Sequence, residues 1–201
     1  EAMMLALAWA ESAKRVLATA KSDAAAMAKV KRWFDDGSIS AKDLAKNIAK
    51  MHAGFKVIVN SLNSKVVIIT EMPSLRADAT QELTEAFVLS TAGKFERPRA
   101  IYIEKALQEN YNVSVLHDMK KNWARVLLHE CTHTDAKTED KRYAFKGIRP
   151  GGNIDAAEAA VNADSWAFFA ADAADALTDG ERTRALGGTA GNLTKEAKNW
   201  N

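Results

Sequence analysis

His129-Glu130-Cys131-Thr132-His133 is the stretch whose residue types and spacing could activate a water molecule. On an α-helix, positions i and i+4 share a face, so His129 and His133 can offer two imidazoles to one metal ion. Zn2+ suits two nitrogen ligands, and a catalytic zinc takes a third protein ligand while keeping one position for water. Glu130, beside the first ligand, can take a proton from that water and later pass it to a leaving amine. The chemistry is that of a zinc-dependent peptidase. A five-residue pattern also arises by chance in helices that bind nothing. Against chance, the chain has four histidines, two of them here, and Trp123–Leu128 supplies an apolar helical lead-in.

The third ligand must be an acid from elsewhere. Asp135 stands two residues past His133, still close to the helix end, and Asp140 stands seven past it, enough for the chain to fold back. Asp155, Glu158 and Asp164 lie on a later helix, an arrangement also compatible with zinc. Spacing alone does not choose among them. Cys131 is turned away from the histidine face and reads as a small buried apolar residue. His117 reads as a surface residue or one supporting a ligand.

These residues need elements to hold them. With 201 residues, 47% hydrophobic and 27% charged, the chain suits a single well-buried domain over 1–201, with 186–201 as a loosely packed tail. A net charge of +2 is too mild to argue for nucleic acid. No apolar run is long enough to span a bilayer, so membrane insertion is not expected. The single cysteine rules out an intramolecular disulfide. The first residue is Glu1, which suggests a mature form or an excised domain. Met3–Ala10 has the apolar character of a signal-peptide end but no basic flank, and its spacing continues through Val16 and Leu17, so it reads as helix.

In order, residues 2 to about 34 read as one long helix rich in Ala, Leu, Met and Lys, ended by Asp35-Asp36-Gly37-Ser38. Ser40 can cap a second helix, Ala41 to Met51, with His52 at its end and Gly54 just beyond. Phe55–Val59 and Val66–Thr70 are β-branched runs that read as two strands. Residues 79–87 are ambiguous. Ala86–Ser90 and Ala100–Glu104 read as another strand pair, and an edge strand beside the metal helix could pair with an extended substrate. Asp118 is the N-cap of the metal helix. A third long helix runs from Asn153 or Asp155 to about Leu177, and Gly180, Gly187, Gly188 and Gly191 mark the tail. The fold class is α+β: mostly helical and zincin-like, with a small antiparallel sheet beside the metal-binding helix.

Two further motifs carry a resemblance. Asp140-Lys141-Arg142-Tyr143 follows the His-Glu-x-x-His, and Asn162-Ala163-Asp164-Ser165-Trp166-Ala167-Phe168-Phe169-Ala170 follows that. Together they resemble the aspzincins, the metallopeptidase family of deuterolysin and the peptidyl-Lys metalloendopeptidases. Arg32-Trp33-Phe34 and Ile101-Tyr102-Ile103 add to the likeness, which covers roughly residues 10 to 175. The resemblance implies zinc bound by His129, His133 and Asp140, Glu130 as general base, and Tyr143 as hydrogen-bond donor to the oxyanion. The family's Gly-Thr before the aspartate and Gly after the tyrosine are replaced by Ala136, Lys137 and Ala144. In lysine-specific members, acids of the Asn-Ala-Asp helix help bind the substrate lysine. Asp164 matches one of them, while the second falls at Ala167. Asp164 could instead orient a ligand histidine through its other ring nitrogen.

The expected function is therefore a zinc endopeptidase acting on a protein or peptide. A bacterial member, secreted or delivered into a target cell as an effector or toxin and met there by an immunity or inhibitor protein, fits the absence of disulfides. The rival readings are a toxin or binding domain with a structural or degenerate metal site, and a zinc amidase acting on cell-wall peptide.

Overall fold

A computed structural model gives the fold. It describes residues 1–64, 67–70, 84–91, 94–95, 99–104, 107 and 115–187. The fold is α+β and mostly helical, as the sequence predicts. The helices are α1 (Ala2–Thr19), α2 (Ala24–Phe34), α3 (Ala41–Asn63), α4 (Met119–Ala136), α5 (Ala156–Ala159), α6 (Ala163–Ala173) and α7 (Asp179–Gly187), with a 3-10 turn at Ala144–Lys146. The strands are β1 (Val67–Thr70), β2 (Ala86–Phe87), β3 (Ser90–Thr91), β4 (Lys94–Phe95) and β5 (Arg99–Ile103). None of the described helices is long and apolar enough to cross a membrane.

The small sheet has β5 at its centre. β2 pairs with it antiparallel, Ala86 opposite Ile103 and Phe87 opposite Tyr102, and the last pair stacks its rings 5.0 Å apart. β1 runs parallel on the other side, from Val67 opposite Arg99 to Thr70 opposite Tyr102. β3 and β4 form a separate antiparallel ladder. Of the expected pair Ala86–Ser90 and Ala100–Glu104, Ala86–Phe87 pairs with Tyr102–Ile103, whereas Ser90 belongs to β3 and pairs with Phe95.

Three helical expectations are corrected. The first helix breaks after Thr19, because Asp23 caps a new one, its carboxylate accepting from the Ala25 and Ala26 amides. Phe55–Val59 is not a strand. Ser40 does cap α3, accepting from the Asp43 amide, but the helix continues past Met51 and Gly54 to Asn63. Its β-branched run fits a helix because Met51, Phe55, Ile58, Val59 and Leu62 recur at three- and four-residue steps and are all buried. Gly54 is a point of close approach rather than a stop: a Cβ there would lie 2.7 Å from the Trp166 ring. His52 is accordingly inside α3, not at its end. The third long helix is two, α5 and α6, and Gly180 lies within α7. The ambiguous residues 79–83 and the tail from 188 onward lie outside the described residues.

α6 is the centre of the core. All eleven of its residues are buried, as expected of a helix apolar nearly all round. Trp166 stacks on Phe55 with centroids 5.2 Å apart, Phe168 on Trp33 at 6.1 Å, and Phe169 meets Phe34 edge-on at 5.3 Å. Truncating one such ring costs about 3–5 kcal/mol. These contacts clamp α6 against α2 and α3. Because α6 also packs on α4, Asp164 in its first turn is fixed against the metal helix.

Candidate active site

The histidines come from the second half of α4. Asp118 caps that helix, accepting from the Lys121 amide at 2.8 Å. Ala124, Val126, Leu127, Leu128 and Cys131 bury its apolar face, so its rotation is set by the core. His129 and His133 then fall on one side, their rings 4.8 Å apart and nearly perpendicular.

The chain leaves α4 through Lys137, whose φ of 57° and ψ of 45° are left-handed, and turns back. Residues 138 to 146 are held by the start of α6. The Glu139 amide donates to the Val161 carbonyl at 2.8 Å, and the Ala163 amide to the Glu139 carbonyl at 3.0 Å. The Asn162 side chain accepts from the Lys141 and Arg142 amides at 3.1 and 3.0 Å, and donates to the Arg142 carbonyl at 2.9 Å. Asp140 is fixed from both flanks, so a short loop can hold it in place.

That placement brings Asp140 to the histidines. Its Oδ1 lies 3.0 Å from His129 Nε2 and 3.4 Å from His133 Nε2, and the two Nε2 atoms are 3.1 Å apart. Donors bound to one tetrahedral ion by bonds of about 2.0 Å would be about 3.3 Å apart. The other ring nitrogens are engaged. His133 Nδ1 faces the Thr138 carbonyl at 2.9 Å, and since a carbonyl only accepts, Nδ1 carries the proton and Nε2 a lone pair. His129 Nδ1 faces the Asp164 carboxylate at 2.8 Å, the same arrangement with a stronger acceptor. The residues present therefore fit a tetrahedral zinc in donor chemistry, spacing and tautomer.

The electrostatics agree. Burial alone would lower the His129 pKa, but hydrogen bonds to Asp140 and Asp164 outweigh it and raise it to about 10. The two carboxylates thus favour positive charge at this point, whether from a proton or a metal ion. Asp140 is held below the usual carboxylate range: its burial is outweighed by its bonds to His129 and His133. Glu130 has ligand atoms within 4.8 Å of those of His129 and His133. Burial raises its pKa, and the nearby histidines offset part of that, as suits a base that must also give a proton back. Tyr143 stacks over His129 at 6.1 Å, within 14° of parallel, and is 37% exposed. Its hydroxyl is kept protonated by partial burial and by Asp140 and Asp164.

The other candidates fall elsewhere. Asp155 and Glu158 form a capping box at the start of α5, the Asp155 carboxylate accepting from the Glu158 amide at 2.7 Å and the Glu158 carboxylate from the Asp155 amide at 3.3 Å. Asp135, in the last turn of α4, accepts from the Thr134 hydroxyl at 3.4 Å. His117 is exposed at the entry to α4. Asp164 is 2% exposed. Its Oδ1 meets His129 Nδ1 at 2.8 Å and Arg125 Nη1 at 3.4 Å, and its Oδ2 accepts from the Ala144 amide at 2.7 Å. Ala167 is fully buried in the core.

Two residues that shape the site were not singled out from the sequence. Asn162 grips the Asp140 loop, and the signal for it was its place at the head of the Asn-Ala-Asp motif. Arg125 sits in the apolar lead-in, four residues before His129, and that spacing puts it on the histidine face.

Compared with known families, the chain matches the aspzincin family described as lysine-specific metallo-endopeptidase over residues 19–171. No curated protein matches it.

Proposed function

The chain belongs to the lysine-specific metallo-endopeptidase family of aspzincins, and on that premise we propose that it hydrolyses internal peptide bonds with a zinc ion held by His129, His133 and Asp140. The observation that carries this reading is the convergence of three donor atoms at 3.0–3.4 Å, each imidazole presenting Nε2 because its Nδ1 is spent on an acceptor. Zinc in that position supplies Lewis acidity and lowers the pKa of a water toward about 7.

The protein's own groups do the rest. Glu130 accepts the proton of the attacking water and returns it to the leaving amine. Tyr143, protonated and beside Asp140, donates to the carbonyl oxygen as negative charge builds there. Asp164 holds His129 rather than a substrate lysine: it is buried, and both oxygens already accept from the chain. Lysine preference is therefore not part of this reading.

Glu130→Gln keeps the zinc ligands and removes the base. Peptide cleavage should fall by about 10²–10⁴-fold with zinc content unchanged, and a variant that kept its rate would refute the mechanism. Tyr143→Phe should lower kcat by about 10²–10³-fold, again with zinc retained. Unchanged kcat would remove Tyr143 from the reaction.

A further inference from the structure

Arg125 is 6% exposed, and a buried guanidinium persists only where acids surround it. Here Nη2 donates to the Glu85 carboxylate and, at 2.8 Å, to Asn122 Oδ1, while Nη1 reaches Asp164 Oδ1 at 3.4 Å. Asn122 completes the set, its amide donating to the other Glu85 oxygen at 2.7 Å. Glu85 immediately precedes β2, and its carbonyl accepts from the Glu104 amide at 2.9 Å, just past β5. Charges therefore alternate in a line from the sheet to the site: Glu85, Arg125, Asp164, His129. Burial opposes the charge on Arg125, but Glu85 and Asp164 outweigh it and hold it fully cationic.

Resting on the zinc reading above, we propose that Arg125, backed by Glu85, is a positioning residue for the metal centre. It fixes Asp164 so that His129 keeps its proton on Nδ1 and turns Nε2 toward Asp140, and it ties the β2 edge to the same helix. Neither residue touches the donor atoms. Without Arg125, the Asp164 carboxylate keeps the Ala144 amide on Oδ2 but loses a cationic partner on Oδ1, the oxygen that holds His129.

The test uses the full chain, with zinc alone as the probe and a chelator in competition. Arg125→Met should weaken zinc binding by about tenfold, the scale on which supports of metal ligands act. Arg125→Lys keeps the charge but not the fork and should recover part of the loss. Glu85→Gln, a milder change, should shift affinity in the same direction by less. Asp172→Asn serves as the control: it breaks the Arg32 and Arg182 pairs at the far end of α6 and should leave the affinity of folded protein unchanged. A drop in Arg125→Met that Asp172→Asn does not share supports the proposal. If Arg125→Met does not fold, Arg125→Lys and Glu85→Gln decide it: weakened affinity supports the proposal, and wild-type affinity in both overturns it. A wild-type chain that binds no zinc breaks the parent reading, whereas one zinc held equally well with and without Arg125 breaks only this one.

Discussion

Asp164 and Asp172 lie eight residues apart on α6. Both are buried, and both are ionised in spite of it. Asp172 takes Arg32 Nη1 and Arg182 Nε, the latter at 2.9 Å, together with the Trp33 indole at 2.9 Å. Asp164 takes Arg125, the Ala144 amide and His129. The local physics is the same: burial raises each pKa, and hydrogen bonds from the surrounding groups outweigh it. The difference is in the partners. Those of Asp172 are groups that neither gain nor lose a proton, and Arg182 leads on to Asp179 and the Leu177 carbonyl rather than to the histidines, so the residue joins α2, α6 and α7. One partner of Asp164 is an imidazole whose far nitrogen faces Asp140. An ion-paired buried aspartate is thus structural or functional according to what its partner does next, not according to its own environment.

The comparison is sharpened most by exchanging the two losses. Asp164→Asn should weaken zinc binding by about 10–100-fold, and it also lowers stability because it takes one of the two acids from the buried Arg125. Asp172→Asn should lower stability by about 2 kcal/mol, the scale of a lost charge-assisted bond with its arginines still partly solvated, and leave the zinc affinity of folded protein alone. Chelator competition and thermal unfolding on both variants check this. If Asp172→Asn lost zinc as readily as Asp164→Asn, the division between the two would fail.

A smaller effect concerns pH and belongs to the structural side. Asp36 links the α2–α3 turn to α5, accepting from the Ser38 and Ile39 amides, the Ser38 hydroxyl and the Ala156 amide. These bonds lower its pKa from 3.8 to about 2. A depressed folded-state pKa means the unfolded chain binds the proton more readily. The contribution of Asp36 is complete above about pH 4 and fades as pH falls through about 2. Asp36→Asn should flatten the fall of Tm across that window, and a profile as steep as wild type would rule the contribution out.

What the sequence made legible follows the range of the interactions. His129, Glu130 and His133 were readable because one helix turn sets their geometry. The caps at Ser40 and Asp118 were readable because capping is local. Asp140 was one candidate among five from spacing, and it became distinct through the Asp-x-x-Tyr pattern. Its position in space depends on Asn162, twenty-two residues further on, and pairings of that range leave little trace in a pattern. Phe55–Val59 reads as a strand because a β-branched run satisfies both periods, and the burial of Phe55, Ile58 and Val59 in the core decides for the helix. The break at Asp23 was hidden by the helix-forming residues around it. Arg125 is masked by its apolar neighbours, although its distance from His129 puts it on the working face.

The most direct test of the account is zinc content by elemental analysis, on wild type and Asp140→Ala prepared side by side. One zinc per chain in wild type, with sharply weakened retention in the variant, is the result expected of a site built from His129, His133 and Asp140. A variant that held its zinc as well as wild type, or a wild type that took up none after zinc was added back, would contradict it.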